Sequence, residues 1–208
     1  MARKFIIPSI YEPAETDSVT LKENDITILV GKNGYGKTSF LYGIEEAFKK
    51  DNTVTIVSWS DSKYGRDAGR SILGFHEDYE GLASMAFVSE GQTMMSSFAR
   101  FFMQRAGGAS RRRKPGQDTM FLLVDQLDSG LDSHQIRYIK EVIRNIVIPD
   151  MTGQGITVFI IMSANSYELV MGEDCLDPMT RKHLKFKTIQ EYMDYIDSQY
   201  KKDEKNEE

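Results

Sequence analysis

A single cysteine, Cys175, and a single tryptophan, Trp59, stand among 208 residues. One thiol excludes an intrachain disulfide framework and suits a reducing compartment. His76, His134 and His183 are scattered without paired-His or Cys spacing, so no zinc site is expected. No apolar run approaches the roughly twenty residues that cross a bilayer, and the N-terminus lacks a signal-peptide pattern. The expectation is a cytoplasmic protein without membrane insertion. Heptad runs, internal repeats and linkers are missing as well, which excludes a coiled coil or a solenoid.

Charge is also sparse in one sense. A formal net charge of −5 does not advertise nucleic-acid binding, although it leaves room for a local basic face. One such cluster exists: Arg105, Arg111, Arg112, Arg113 and Lys114, interleaved with Gly107, Gly108, Pro115 and Gly116. It reads as an exposed loop, either a solvated connection or a phosphate-contacting surface. At this length the chain is expected to be one domain spanning 1–208, with 201–208 a frayed tail.

What the chain does have is concentrated in a few segments. Gly31-Lys32-Asn33-Gly34-Tyr35-Gly36-Lys37-Thr38 matches GxxxxGK[ST] between an apolar run, 26–30, and a helix-like stretch, 38–49. Glycines let successive backbone N–H groups turn inward around phosphate oxygens. The helix start adds its positive dipole end, Lys37 a point charge, and Thr38 a hydroxyl for Mg²⁺. The pattern predicts a nucleoside-triphosphate site.

Downstream, 119–125 reads as a buried strand ending in Asp125, an acid placed to hold Mg²⁺. It continues as Gln126-Leu127-Asp128-Ser129-Gly130-Leu131-Asp132. Between the two motifs lies Ser89-Glu90-Gly91-Gln92 before a helix-like 93–103. By itself S-x-x-Q is a capping box; its hydroxyl and glycine amide at a helix start also suit an anion. A last apolar strand, 155–162, runs into Ser163-Ala164-Asn165-Ser166-Tyr167-Glu168-Leu169.

In this order the segments resemble the motifs of ATP-binding-cassette (ABC) ATPases over about residues 20 to 170. Residues 125–132 resemble the Walker B and D-loop wording DEIDSGLD, 89–92 the signature LSGGQ, and 163–169 the switch THSxEL. The resemblance implies an α/β P-loop NTPase fold. That is a mostly parallel central sheet flanked by helices, with an N-terminal antiparallel β part. It implies an ATPase using ATP and Mg²⁺, in which two copies associate head to tail around two nucleotides. Gly31, Asn33, Gly34, Tyr35, Gly36, Lys37, Thr38 and Ser39 would hold the phosphates; Thr38 and Asp125 would hold the metal. Ser89, Gly91 and Gln92 would reach the partner copy's nucleotide, with Asp132 in the D-loop beside it.

Departures from the family pattern matter equally. Gln126 stands where the general-base Glu is found, and a neutral amide orients water but accepts no proton. Asn165 stands at the switch His. Together with Lys37 they are the candidate catalytic residues, and slow hydrolysis is expected. Gln126 reads either as a natural low-turnover ATP clamp or as a Glu→Gln trap of an active ATPase. No Gln occurs between Lys37 and Gln92, so something in 58–62, with Asp61 a candidate, takes the Q-loop place. Tyr11 is a candidate adenine-stacking aromatic or an ordinary strand-end tyrosine.

Only 60–88 separate the second core strand from the signature-like segment. The chain therefore resembles a minimal, free-standing type, close to DNA-repair and phage-defence ATPases. It would act on a separate effector protein, with nucleic acid a candidate partner. The alternative is a transporter's nucleotide-binding subunit. Among the remaining elements, Ile136, Ile139, Ile143 and Ile146 repeat at helical spacing in a helix over 133–146. A hairpin is expected from 174–176 and 184–186. A final amphipathic helix carries Ile189, Tyr192, Met193, Ile196 and Tyr200.

Overall fold

The apolar runs become the strands of a parallel sheet because both of its faces are covered. The computed structural model describes residues 1–10, 14, 16–60, 95, 98, 101–126, 128 and 131–206. Strands β1 (Ala2–Ile6) and β2 (Ser18–Lys22) form an antiparallel pair. The central sheet contains β3 (Asp25–Leu29), β4 (Val54–Ser60), β5 (Thr119–Asp125), β6 (Thr157–Ser163), β7 (Asp174–Leu176) and β8 (His183–Leu184), ordered β4-β5-β6-β3-β7-β8. All neighbours are parallel except β7 and β8. The fold is thus mixed α/β with a mostly parallel sheet and an antiparallel N-terminal part, as expected.

Side-chain alternation sorts the core into two layers. Met120, Leu122, Val124, Val158, Ile160 and Met162 enter one buried cluster with Ile136, Ile139 and Tyr192. Phe121, Leu123, Phe159 and Ile161 enter the other, with Phe40, Leu41 and Ile44 of helix α1 (Lys37–Phe48) and Val19 and Leu21 of β2. Phe5 of β1 meets Phe121 and Phe159 edge-on at 5.4 and 5.1 Å, which seats the N-terminal pair on this face.

Two local expectations change. Gly107 and Gly108 do not lie in a loop: a π-helical turn, Phe101–Ala106, leads into helix α2, Gly107–Arg111. Burial of Phe101, Phe102, Ala106 and Ser110 overrides the poor helix propensity of glycine. The helix expected over 133–146 is α3 (Ser133–Val142), a π-helical turn (Ile143–Val147) and α4 (Ile148–Gly153). Pro149 has no N–H to donate and crowds the preceding turn, and i→i+5 bonding adds a residue there. Ile146 is therefore 57% exposed, and Val147 takes its buried place. After the short helix α5 (Tyr167–Val170), helix α6 runs Ile189–Asn206.

A buried ion-pair network fastens α3 to the β6–β7 connection. Lys140 Nζ lies 2.9 Å from Glu173 Oε1 and donates to the Met171 carbonyl at 2.8 Å, while Arg144 also binds Glu173. The bond to Glu173 and its charge raise the Arg144 pKa.

Candidate functional site

Because β3, β5 and β6 run parallel, their C-terminal ends open on one edge, the usual place for a ligand in such sheets. Strand β6 lies between β3 and β5. That insertion sets Ser163 beside the ends of both neighbours, Leu29 and Val124–Asp125.

The loop after β3 needs its glycines. Gly34 and Gly36 adopt φ of 78° and 77°, and a Cβ on Gly31 would come within 2.4 Å of the Tyr35 ring. Helix α1 begins at Lys37 with no side-chain cap, leaving the N–H groups of its first turn for another acceptor. Lys37 is nearly buried, and its Nζ donates to the carbonyls of Gly31 at 2.6 Å and Lys32 at 3.1 Å. Burial lowers its pKa, opposed by the charges of Asp128 and Asp125.

Opposite the loop, Thr38 Oγ1 donates to Asp125 Oδ2 at 2.9 Å, and Ser163 Oγ donates to Asp125 Oδ1 at 2.6 Å. Ser163 Oγ in turn accepts from the Gln126 N–H at 2.8 Å, holding Gln126 at φ 55°. Asp128, missed as a site residue in the sequence, accepts from the N–H groups of Asn165 and Ser166 at 2.7 and 2.6 Å.

A cleft of about 560 Å³ results, lined by Asn33, Gly34, Tyr35, Gly36, Lys37, Thr38, Ser39, Asp125, Gln126, Asp128, Asn165 and Ser166. Ten of the expected residues meet here, from three segments of the chain. Gly31 does not line it and instead receives the Lys37 ammonium. Asp132 is the N-cap of α3, accepting from Gln135 N at 2.8 Å in a reciprocal capping box. Ser89, Gly91, Gln92, Asp61 and Tyr11 lie outside the described residues.

The donor set suits a hard cation. A hydroxyl and a carboxylate are already in contact, both of them oxygen donors. That fits Mg²⁺, which keeps waters and takes phosphate oxygens in preference to an all-protein shell. Thr38 and Asp125 are the residues able to hold it.

Three neighbouring features complete the surroundings. A recess of about 230 Å³ shares Gly34, Gly36 and Ser39 with the cleft and is walled by Phe40, Met179 and Arg181. The Arg181 guanidinium lies 4.4 Å from the Phe40 ring, and burial lowers its pKa. From behind, α6 grips the loop: Gln199 Oε1 accepts from the Lys32 N–H at 2.8 Å, and Lys32 Nζ sits 4.8 Å from the Tyr200 ring. The basic segment lies at the other end of the sheet, where Arg111, Arg113 and Lys114 line an open groove near Asp118 and Gly155, just before β5 and β6 begin.

No protein-family model matches the chain, and no curated protein matches it. Among solved structures it is similar to a Pyrococcus furiosus protein provisionally named as an ABC transporter ATP-binding protein, at 15% identity and a TM-score of 0.45. That likeness covers 79% of this chain and 91% of the other. A structure provisionally named as a metal-chelate type ABC transporter, in an inward-facing conformation, gives 14% identity and a TM-score of 0.44 over 94% and 87% of the two chains. Likenesses this distant carry no argument about family or activity.

Proposed function

We propose that the chain is an ABC-type ATPase that binds Mg²⁺-ATP in this cleft and hydrolyses it slowly. The observation that carries the reading is the Thr38–Asp125 contact at the mouth of a glycine loop whose lysine is held at its base. A hydroxyl from the helix start and an acid from a separate strand meet there, and together they would hold the Mg²⁺ of a bound nucleotide. Lys37, Thr38, Ser39 and the loop N–H groups bind the phosphates, and the adjoining recess takes the nucleoside. Mg²⁺ supplies charge neutralisation of the phosphates when bound. Gln126 and Asn165 face the terminal phosphate and orient water as amides.

Two copies associate head to tail on ATP, through Ser89 and Gly91 of one and the nucleotide of the other. Loss of the γ-phosphate removes the differential interaction and releases the pair. The chain then acts as a switch on a separate effector, of the repair or anti-phage type. No described helix is long and apolar enough to cross a membrane. A second reading, a non-hydrolysing ATP clamp, is favoured by Gln126 alone.

Equilibrium dialysis with ATP, with and without Mg²⁺, tests the binding. Micromolar binding that needs Lys37 supports the reading, and absence of binding overturns it.

A further inference from the structure

The cleft contains two carboxylates among its described lining residues, and they are not equivalent. Both Asp125 oxygens are engaged by hydroxyl donors, Oδ2 by Thr38 and Oδ1 by Ser163. Asp128 is held differently. Its Oδ2 takes two backbone N–H groups, those of Asn165 and Ser166, which fix the carboxylate plane. Its Oδ1 is buried and has no hydrogen-bond partner among the described residues, and the residue is only 8% exposed.

A buried carboxylate oxygen with no donor is costly, since its hydration is lost and nothing replaces it. Native structures keep such an atom where a ligand or an ordered water completes it. Lys37 does not complete it here: its ammonium donates to the Gly31 and Lys32 carbonyls. Asp128 nonetheless acts on Lys37 electrostatically, more strongly than Asp125 does. Asp128 lines the cleft together with Gln126, whose amide accepts no proton.

We infer that Asp128 supplies the carboxylate that Gln126 lacks: its Oδ1 accepts the hydrogen bond, and then the proton, of the water that attacks the terminal phosphate. The inference rests on the reading of the cleft as an ATPase site. In the step, the water oxygen bonds to the γ-phosphorus. The bond from phosphorus to the β–γ bridging oxygen breaks, and its electron pair leaves on ADP. The water proton passes to Asp128 and from there to the inorganic phosphate. Gln126 orients the water, and the N–H groups of Asn165 and Ser166 keep Asp128 aimed.

Asp128→Asn tests this, because the amide oxygen still accepts from Asn165 and Ser166 while proton acceptance is lost. ATP affinity by equilibrium dialysis and phosphate release in a single turnover are measured on the unaltered chain, Asp128→Asn, and Asp128→Asn combined with Gln126→Glu. Affinity is expected to stay within about threefold while release falls by roughly 10²–10⁴-fold. The double variant, with a carboxylate returned at the neighbouring position, recovers release; a merely structural defect at 128 would not be rescued in that way. Undiminished release by Asp128→Asn overturns the inference, as does a parallel loss of affinity and release with no recovery. An unaltered chain that binds ATP but releases no phosphate overturns it alone. One that binds no ATP overturns the ATPase reading with it.

Discussion

Thr38 and Asp125, 87 positions apart, share a hydrogen bond of 2.9 Å at the mouth of the cleft. In the proposed reading these are the two oxygens that would hold Mg²⁺. Thr38→Ala is expected to remove the Mg²⁺ dependence of ATP binding. Lys37→Ala, which takes away a charge-assisted donor, is expected to weaken binding by about 10- to 100-fold. Dialysis with and without Mg²⁺ reads both; full Mg²⁺ dependence in Thr38→Ala would remove Thr38 from the metal's shell.

Gln126→Glu is expected to raise phosphate release, but by less than the roughly 10²–10⁴-fold that a general base adds where none acts, because the role inferred for Asp128 already supplies part of it. Binding should change little, because amide and carboxylate are nearly the same size. Turnover that stays near zero in this variant would favour the ATP clamp.

Helix α6 is expected to set the stiffness of the phosphate loop. Gln199→Leu leaves the Lys32 N–H without its 2.8 Å acceptor, a loss of about 1–3 kcal/mol where the group stays buried. A lower melting temperature together with weaker ATP binding is the expected pair of results. Lower stability with unchanged affinity would confine Gln199 to a packing role.

How much of this was visible in the linear chain depends on the range of the interaction. The glycine loop, the acid at the end of β5 and the amide at 126 were legible because strand, turn and helix start are local patterns. Ser163 was not, since its grip on Asp125 exists only because β6 inserts between β3 and β5. Asp128 was read as part of a family wording, and its buried, half-satisfied carboxylate depends on a chain reversal that brings 165 and 166 to it. The exposure of Ile146 was hidden by Pro149, three residues on, which breaks the 3.6-residue period that a stripe argument assumes.

Glu173→Ala is expected to destabilise the fold by about 3–5 kcal/mol, because Lys140 and Arg144 lose a shared, buried carboxylate. Urea unfolding should show a lower midpoint at an unchanged slope. A shift under about 1 kcal/mol would mean that the backbone carbonyls around Lys140 suffice.

Cys175 is buried and its thiol is pushed up to about 12, chiefly by desolvation. Native protein at pH 8 should resist alkylation, and denatured protein should take one label. Burial also raises the Tyr192 hydroxyl to about 12. Both groups are neutral acids with folded values above their unfolded ones. Their contribution to stability is complete below about pH 8.5 and is lost as pH rises towards 12. Unfolding midpoints measured across that alkaline range should fall steadily; a flat profile would count against the burial of both groups.

The claim that a triphosphate joins two copies is tested most directly by mass from light scattering with Mg²⁺-ATP, with Mg²⁺-ADP and without nucleotide. A shift from monomer to dimer with ATP alone is expected, abolished by Lys37→Ala and weakened by Ser89→Arg. The same mass in all three conditions would contradict the account.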